Sequence, residues 1–139
     1  MSDLNITTRR LDGVTVMDLD GGIAIGTSSA ELNSALRELV TAGKNRILIN
    51  LANVRMIDSS GLGSLVSGFA TVEKSGGLLK LTNLSPRVTE LMTITRLYTV
   101  FEIFEDEQTA LKSFSQANDR ITSPLDGNKA ADAAGSSLL

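Results

Sequence analysis

Ile47-Leu48-Ile49-Asn50-Leu51 and the following Asp58-Ser59-Ser60-Gly61-Leu62-Gly63-Ser64-Leu65 are the stretches whose reading decides the fold. The first is apolar at nearly every position, the pattern of a strand covered on both faces. The second opens with helix-capping residues and continues into Leu62, Leu65, Val66, Phe69 and Val72, which share one helical face. Ser75-Gly76-Gly77 ends that helix, and Leu78-Leu79-Lys80-Leu81-Thr82 forms the next strand. Strand, helix and strand in that order imply a parallel pair joined by a right-handed crossover.

The same grammar extends in both directions. Upstream, Asn5-Ile6-Thr7-Thr8 and Val14-Thr15-Val16-Met17-Asp18-Leu19 are β-prone runs separated by the tight-turn pair Asp12-Gly13, and Gly21-Gly22 is expected to break the second strand. A helix is predicted over residues 28–41. Ser28 and Glu31 have capping-box spacing, and Leu32, Ala35, Leu36, Leu39 and Val40 form its apolar stripe before Gly43 ends it. Downstream, Ser85-Pro86 places a cap before a proline at the first helical position, opening a helix to about Thr95. Residues 100–104 are read as a short edge strand, and Asp106 caps a last helix carrying Ala110, Leu111 and Phe114.

The expected fold is therefore α/β: a mixed sheet of four or five strands with the helices packed on it. Periodicity stops near Gln116. Residues 1–116 are taken as one domain and residues 117–139, rich in Ala, Ser, Gly and Asp, as a flexible tail.

Composition removes several functions. With no Cys and no His, the chain has no thiolate nucleophile, no imidazole ligand and no Ser-His-Asp triad. A net charge of −3, with scattered Lys and Arg, gives no field for nucleic acid. No secretory leader is visible, and the longest uncharged run, residues 59–72, is too short for a membrane span. A cytoplasmic location is expected, and with no apolar surface demanding a partner copy, a monomer is the default.

Chemistry concentrates at Asp58-Ser59-Ser60-Gly61-Leu62-Gly63. Two hydroxyls and a carboxylate sit where a strand hands over to a helix, the end of an open α/β sheet at which sites form. The helix N-terminus there accommodates an anion on backbone N–H groups. Gly61 and Gly63 are expected to let another protein approach the hydroxyls. On local chemistry alone the residues serve equally as helix caps, which is their commoner role. A dinucleotide fingerprint is absent, since Val66 stands where a third Gly belongs, and no phosphate-loop lysine follows.

The longer string Val54-Arg55-Met56-Ile57-Asp58-Ser59-Ser60-Gly61-Leu62-Gly63-Ser64-Leu65 resembles the signature of STAS-domain anti-sigma factor antagonists. Asn50-Leu51 sits where that family's third strand ends, and Thr95-Arg96-Leu97-Tyr98-Thr99-Val100-Phe101 looks like the segment joining its third helix to its last strand. The resemblance in element order covers roughly residues 4–115.

The resemblance implies a partner switch without catalytic residues, cofactor or metal of its own. An anti-sigma factor that is also an ATPase-type serine kinase binds the unmodified protein and phosphorylates Ser59, and a PP2C-like, metal-dependent phosphatase resets it. ATP and magnesium belong to the kinase. The expected partner-facing set is Asp58, Ser60, Gly61, Leu62, Gly63, Ser64 and Ser67, with Ser60, Gly63, Ser64, Ser67 and Thr71 forming a small exposed face on the helix. One departure is that Gly21-Gly22-Ile23-Ala24-Ile25-Gly26 carries no carboxylate, where several members have one near the acceptor serine. Two other readings are a scaffold or accessory subunit without phosphorylation, and a small nucleotide-binding or hydrolytic enzyme.

Overall fold

The computed structural model describes residues 4–24 and 26–122. β1 (Leu4–Leu11) and β2 (Val14–Ile23) form a hairpin closed on the Leu11–Val14 pair. Asp12 and Gly13 both have positive φ, 53° and 79°, as a two-residue type I′ turn requires. β3 (Arg46–Ile57), β4 (Leu78–Thr82) and β5 (Ile103–Phe104) add in parallel, giving the spatial order β1-β2-β3-β4-β5. The crossovers are α1 (Thr27–Thr41), α2 (Ser59–Lys74) and α3 (Pro86–Thr95), the last followed by a 3-10 turn at Leu97–Thr99. α4 (Glu107–Thr122) is the last element among the described residues.

Strand alternation divides the core between two faces. Met17, Leu19, Ile47, Ile49, Leu51, Leu79 and Leu81 meet Leu32 and Leu36 of α1, Leu65 and Val72 of α2, and Val88 and Met92 of α3. The opposite face is smaller: Val14, Val16 and Leu48 pack against Ala110 and Phe114 of α4. β3 is therefore covered on both sides, which explains its unbroken apolar run. Fully burying each such Leu or Ile is worth about 1.5–3 kcal/mol. Polar anchors complete the α4 contact. Lys80 Nζ donates to Ser113 Oγ and the Ser113 carbonyl at 2.9 and 3.2 Å, and Arg46 Nη2 donates to the Phe114 carbonyl at 2.7 Å.

Several boundaries differ from the sequence reading. β2 runs through Gly21-Gly22 to Ile23 instead of breaking there. β3 continues past Leu51 to Ile57, pairing with β4 only over its first part but with β2 along most of its length. In that extension Asp18 and Asp20 face Asn50 and Asn53, and Gly21 and Gly22 face Val54 and Met56, so β3 carries an extra residue at each step. Such bulges bend a strand and disturb its alternation. They leave Ala52 and Asn53, then Arg55 and Met56, exposed as consecutive pairs.

Helix boundaries also need correction. α1 begins at Thr27 behind Gly26, and Ser28 makes no capping box. Its hydroxyl turns back to Ala24, accepting from the N–H at 2.9 Å and lying 3.1 Å from the carbonyl. The caps at Ser85 and Asp106 form as read, accepting from the Val88 and Thr109 N–H groups. α4 extends to Thr122, past the boundary expected at Gln116, and residues 123–139 of the expected tail lie outside the described residues. Among the described residues, Met56, Ile94, Tyr98 and Val100 are large apolar side chains exposed at the surface.

Candidate functional site

The extended part of β3 delivers the chain to Asp58, which is in an extended conformation and caps α2. Its Oδ1 accepts from the Gly61 N–H at 2.9 Å, its carbonyl accepts from the Leu62 N–H at 3.0 Å, and its own N–H donates to the Ile23 carbonyl at 3.2 Å. The ends of β2 and β3 and the start of α2 thus meet at one residue. Asp58 forms the cap, so the capping role read from the sequence is real, and it coexists with an exposed hydroxyl next door.

Ser59, the first helical residue, is exposed, and among the described residues its hydroxyl has no hydrogen-bond partner. Helix geometry leaves the Ser59 and Ser60 N–H groups without intrahelical acceptors. The positive end of the helix dipole lies there, favouring negative charge by about 0.3–1 kcal/mol. Ser60 is half-buried against α1, with its Oγ 3.5 Å from Ser29 Oγ and its carbonyl 3.4 Å from the same atom. Ser64 is buried, its hydroxyl hydrogen-bonded to that of Ser29 and reached by Asn33 Nδ2 at 3.4 Å.

The expected partner-facing residues therefore separate. Ser59, Gly63 and Ser67 are exposed, and Asp58 and Ser60 are half-buried at the rim. Gly61, Leu62 and Ser64 point inward, so direct contact with a partner is withdrawn for them. An ideal Cβ on Gly61 would lie 2.2 Å from the Ile23 oxygen and 2.9 Å from Ile57 Cγ1, which makes this glycine a packing requirement rather than clearance for a visitor. A Cβ on Gly63 meets nothing within 4 Å. Leu62 belongs to the core. Ser64 leaves the small exposed face, whose outer positions are Ser59, Gly63, Ser67 and Ala70.

The segment after β2 offers no carboxylate, as read. The nearest in sequence, Asp20, pairs with Arg55 at 3.3 Å on the exposed surface of the strand extension. Among the described residues no group of three or more acidic side chains could hold a metal ion. No helix among them is long and apolar enough to cross a membrane. Sequence reasoning missed Ser29 and Asn33, which tie α1 to the start of α2. The available signal was the pair Ser28-Ser29 at the head of α1 with Ser60 and Ser64 one turn apart on α2.

A five-stranded mixed sheet, helical crossovers and a serine-bearing helix start define a STAS fold. The STAS domain sequence model matches residues 5–110, and the chain belongs to that family. It is similar to the anti-sigma-B factor antagonist of Bacillus subtilis, 34% identical over 101 residues that span 73% of this chain and 91% of the relative. It is also similar to the anti-sigma F factor antagonist of Paenibacillus polymyxa, 25% identical over 109 residues covering 78% and 93% of the two chains. Solved structures repeat the fold. A putative anti-sigma factor antagonist from Thermotoga maritima superposes with a TM-score of 0.70 at 22% identity, covering 79% of this chain and 94% of that one. The phosphorylated form of the Bacillus cell fate determinant SpoIIAA gives 0.58 at 18% identity, covering 84% and 99%.

Proposed function

We propose that this protein is an anti-sigma factor antagonist that works as a phosphorylation-controlled partner switch. Unmodified, it binds an anti-sigma factor that is also an ATPase-type serine kinase; phosphorylated on Ser59, it lets go, and a PP2C-like phosphatase restores binding. The observation that carries this reading is the placement of Ser59, an exposed hydroxyl on the first turn of a capped helix with no hydrogen-bond partner among the described residues. Two relatives named as anti-sigma factor antagonists, covered over nine-tenths of their length, support the partner class.

Local charge suffices for release. A phosphoserine carries about −1.5 to −2 charges near neutral pH. Facing one partner carboxylate at about 5 Å, it costs on the order of 1.5–6 kcal/mol for effective dielectrics of 80 to 20. At about 1.4 kcal/mol per tenfold, binding weakens tenfold or far more. The kinase supplies the catalytic base and the metal, so the absence of His and Cys from this chain is no obstacle. Ser59, Gly63 and Ser67 form the centre of the contact, with Asp58 and Ser60 at its rim.

The test is a pull-down with Ser59→Ala as bait, followed by incubation of wild-type protein with the captured kinase and ATP. A captured ATPase-type kinase that phosphorylates wild type at Ser59 and leaves Ser59→Ala unmodified supports the switch. Binding partners that carry no kinase, with affinity unchanged by Ser59→Asp, favour the scaffold reading instead.

A further inference from the structure

Two adjacent serines open α2, but they face different surroundings. Ser59 is exposed, and its hydroxyl has no hydrogen-bond partner among the described residues. Ser60 follows about 100° further round the helix, which turns it toward α1. There its hydroxyl lies 3.5 Å from Ser29 Oγ, and its carbonyl lies 3.4 Å from the same oxygen. Ser29 is 9% exposed and is itself held from behind. Its hydroxyl is hydrogen-bonded to that of Ser64, which is 3% exposed and within 3.4 Å of Asn33 Nδ2. Ser29 is the one side chain in this cluster that touches both Ser60 and Ser64.

We infer that Ser29 is a positioning residue that selects the phosphoacceptor, holding Ser60 against α1 so that Ser59 is the hydroxyl presented. The inference rests on the phosphorylation reading above and adds the basis for its choice between two neighbouring serines. The cluster is more than helix packing: packing between α1 and α2 is already served by Leu36 against Gly68, where a glycine Cβ would come within 2.3 Å of Leu36 Cδ1. Removing the Ser29 hydroxyl takes away the one contact made by the Ser60 hydroxyl, together with a contact to the Ser60 carbonyl, and the loss of the first frees χ1 of Ser60 to visit rotamers that reach solvent. Removing the Ser64 hydroxyl leaves those contacts in place and has the smaller effect.

The experiment compares wild type with Ser29→Ala, using the serine kinase captured by Ser59→Ala and quantifying phosphopeptides by mass spectrometry. The ratio of phospho-Ser60 to phospho-Ser59 is expected to rise about two- to threefold, the low end of what one hydrogen bond is worth, because a single long one reaches the Ser60 hydroxyl. Ser29→Cys, close in size but a poor donor, predicts the same change and serves if Ser29→Ala does not fold. A kinase-free readout accompanies it: the three-bond Hα–Hβ couplings of Ser60 should report one rotamer in wild type and averaging in the variant, while those of Ser59 are averaged in both. An unchanged site ratio, or a Ser60 rotamer that stays fixed in a folded variant, overturns the inference while Ser59 phosphorylation stands. Wild-type protein modified at neither serine, or chiefly at Ser60, overturns the phosphorylation reading itself, and the couplings then decide the Ser29–Ser60 link alone.

Discussion

Gly61→Ala puts the geometry of the site to a direct physical test. The added methyl would start 2.2 Å from the Ile23 carbonyl oxygen, 2.9 Å from the Ile23 carbonyl carbon and 2.9 Å from Ile57 Cγ1. Two of these neighbours are backbone atoms of β2, so they cannot swing aside as a side chain would. The same carbonyl accepts the Asp58 N–H at 3.2 Å, so pushing α2 away from β2 also strains the cap. Overpacking of this kind costs about 1–3 kcal/mol. Better helix propensity returns at most about 1 kcal/mol, and less in a first turn. The net expectation is a loss of about 1–2 kcal/mol, or about 4–8 °C in Tm for a domain of this size. Gly63→Ala is the matched control, two residues further along the helix with open space around it. It should be neutral or slightly stabilising. Thermal and urea unfolding of both variants decide the matter. Gly61→Ala as stable as Gly63→Ala would refute the close approach of α2 to the end of β2.

Three further outcomes follow from the same structure. Ser64→Leu should destabilise the fold by about 1–3 kcal/mol because it forces bulk into the α1–α2 seam and removes the Ser29–Ser64 hydrogen bond. Ser67→Leu should stay within about 0.5 kcal/mol of wild type in urea unfolding, yet weaken kinase binding in a titration. The Arg9 guanidinium, at 2.7 and 3.0 Å, and Asn50 Nδ2, at 2.8 Å, hold the Asp18 carboxyl below its ordinary range. Its contribution is then fully present above the unfolded carboxylate value of about 3.9 and is lost as pH falls through the lower folded value. Because the pair is partly solvated, it amounts to about 1 kcal/mol or less. Stability followed from pH 6 downward should therefore fall more steeply for wild type than for Asp18→Asn, and parallel curves would contradict the assignment.

Much of the fold was legible because single residues announce its joints. Asp12-Gly13 specified the hairpin turn, Ser85-Pro86 and Asp106 specified helix starts, and the solid apolar run from Ile47 specified a strand buried on both faces. The extension of β3 was hidden for a definite reason. Its two bulges expose neighbouring residues in pairs, so residues 52–57 show neither the alternation of a half-buried strand nor the apolar run of a covered one. Ser28 was misread because a hydroxyl before a helix can turn back to the chain behind it as readily as it can cap the chain ahead.

At the site, Asp58 and Ser59 were legible from position alone: a capping carboxylate at the last bend, and the first helical side chain beyond it. Their neighbours were not. A serine at helical spacing looks the same on a solvated face and in a seam where another helix supplies a matching hydroxyl, and Ser64 is of the second kind. A glycine before an apolar helix likewise does not reveal whether the space it leaves is open, as at Gly63, or taken by a carbonyl, as at Gly61. Both distinctions depend on α1 and β2, which are distant in sequence and adjacent only after folding.

The central claim is that charge at Ser59 switches partner binding. Calorimetric titration of the captured serine kinase with unmodified protein and with protein phosphorylated at Ser59 measures this directly. Affinity should fall at least about tenfold on phosphorylation, with the fold unchanged in the amide spectrum. Equal affinity for the two forms would contradict the account.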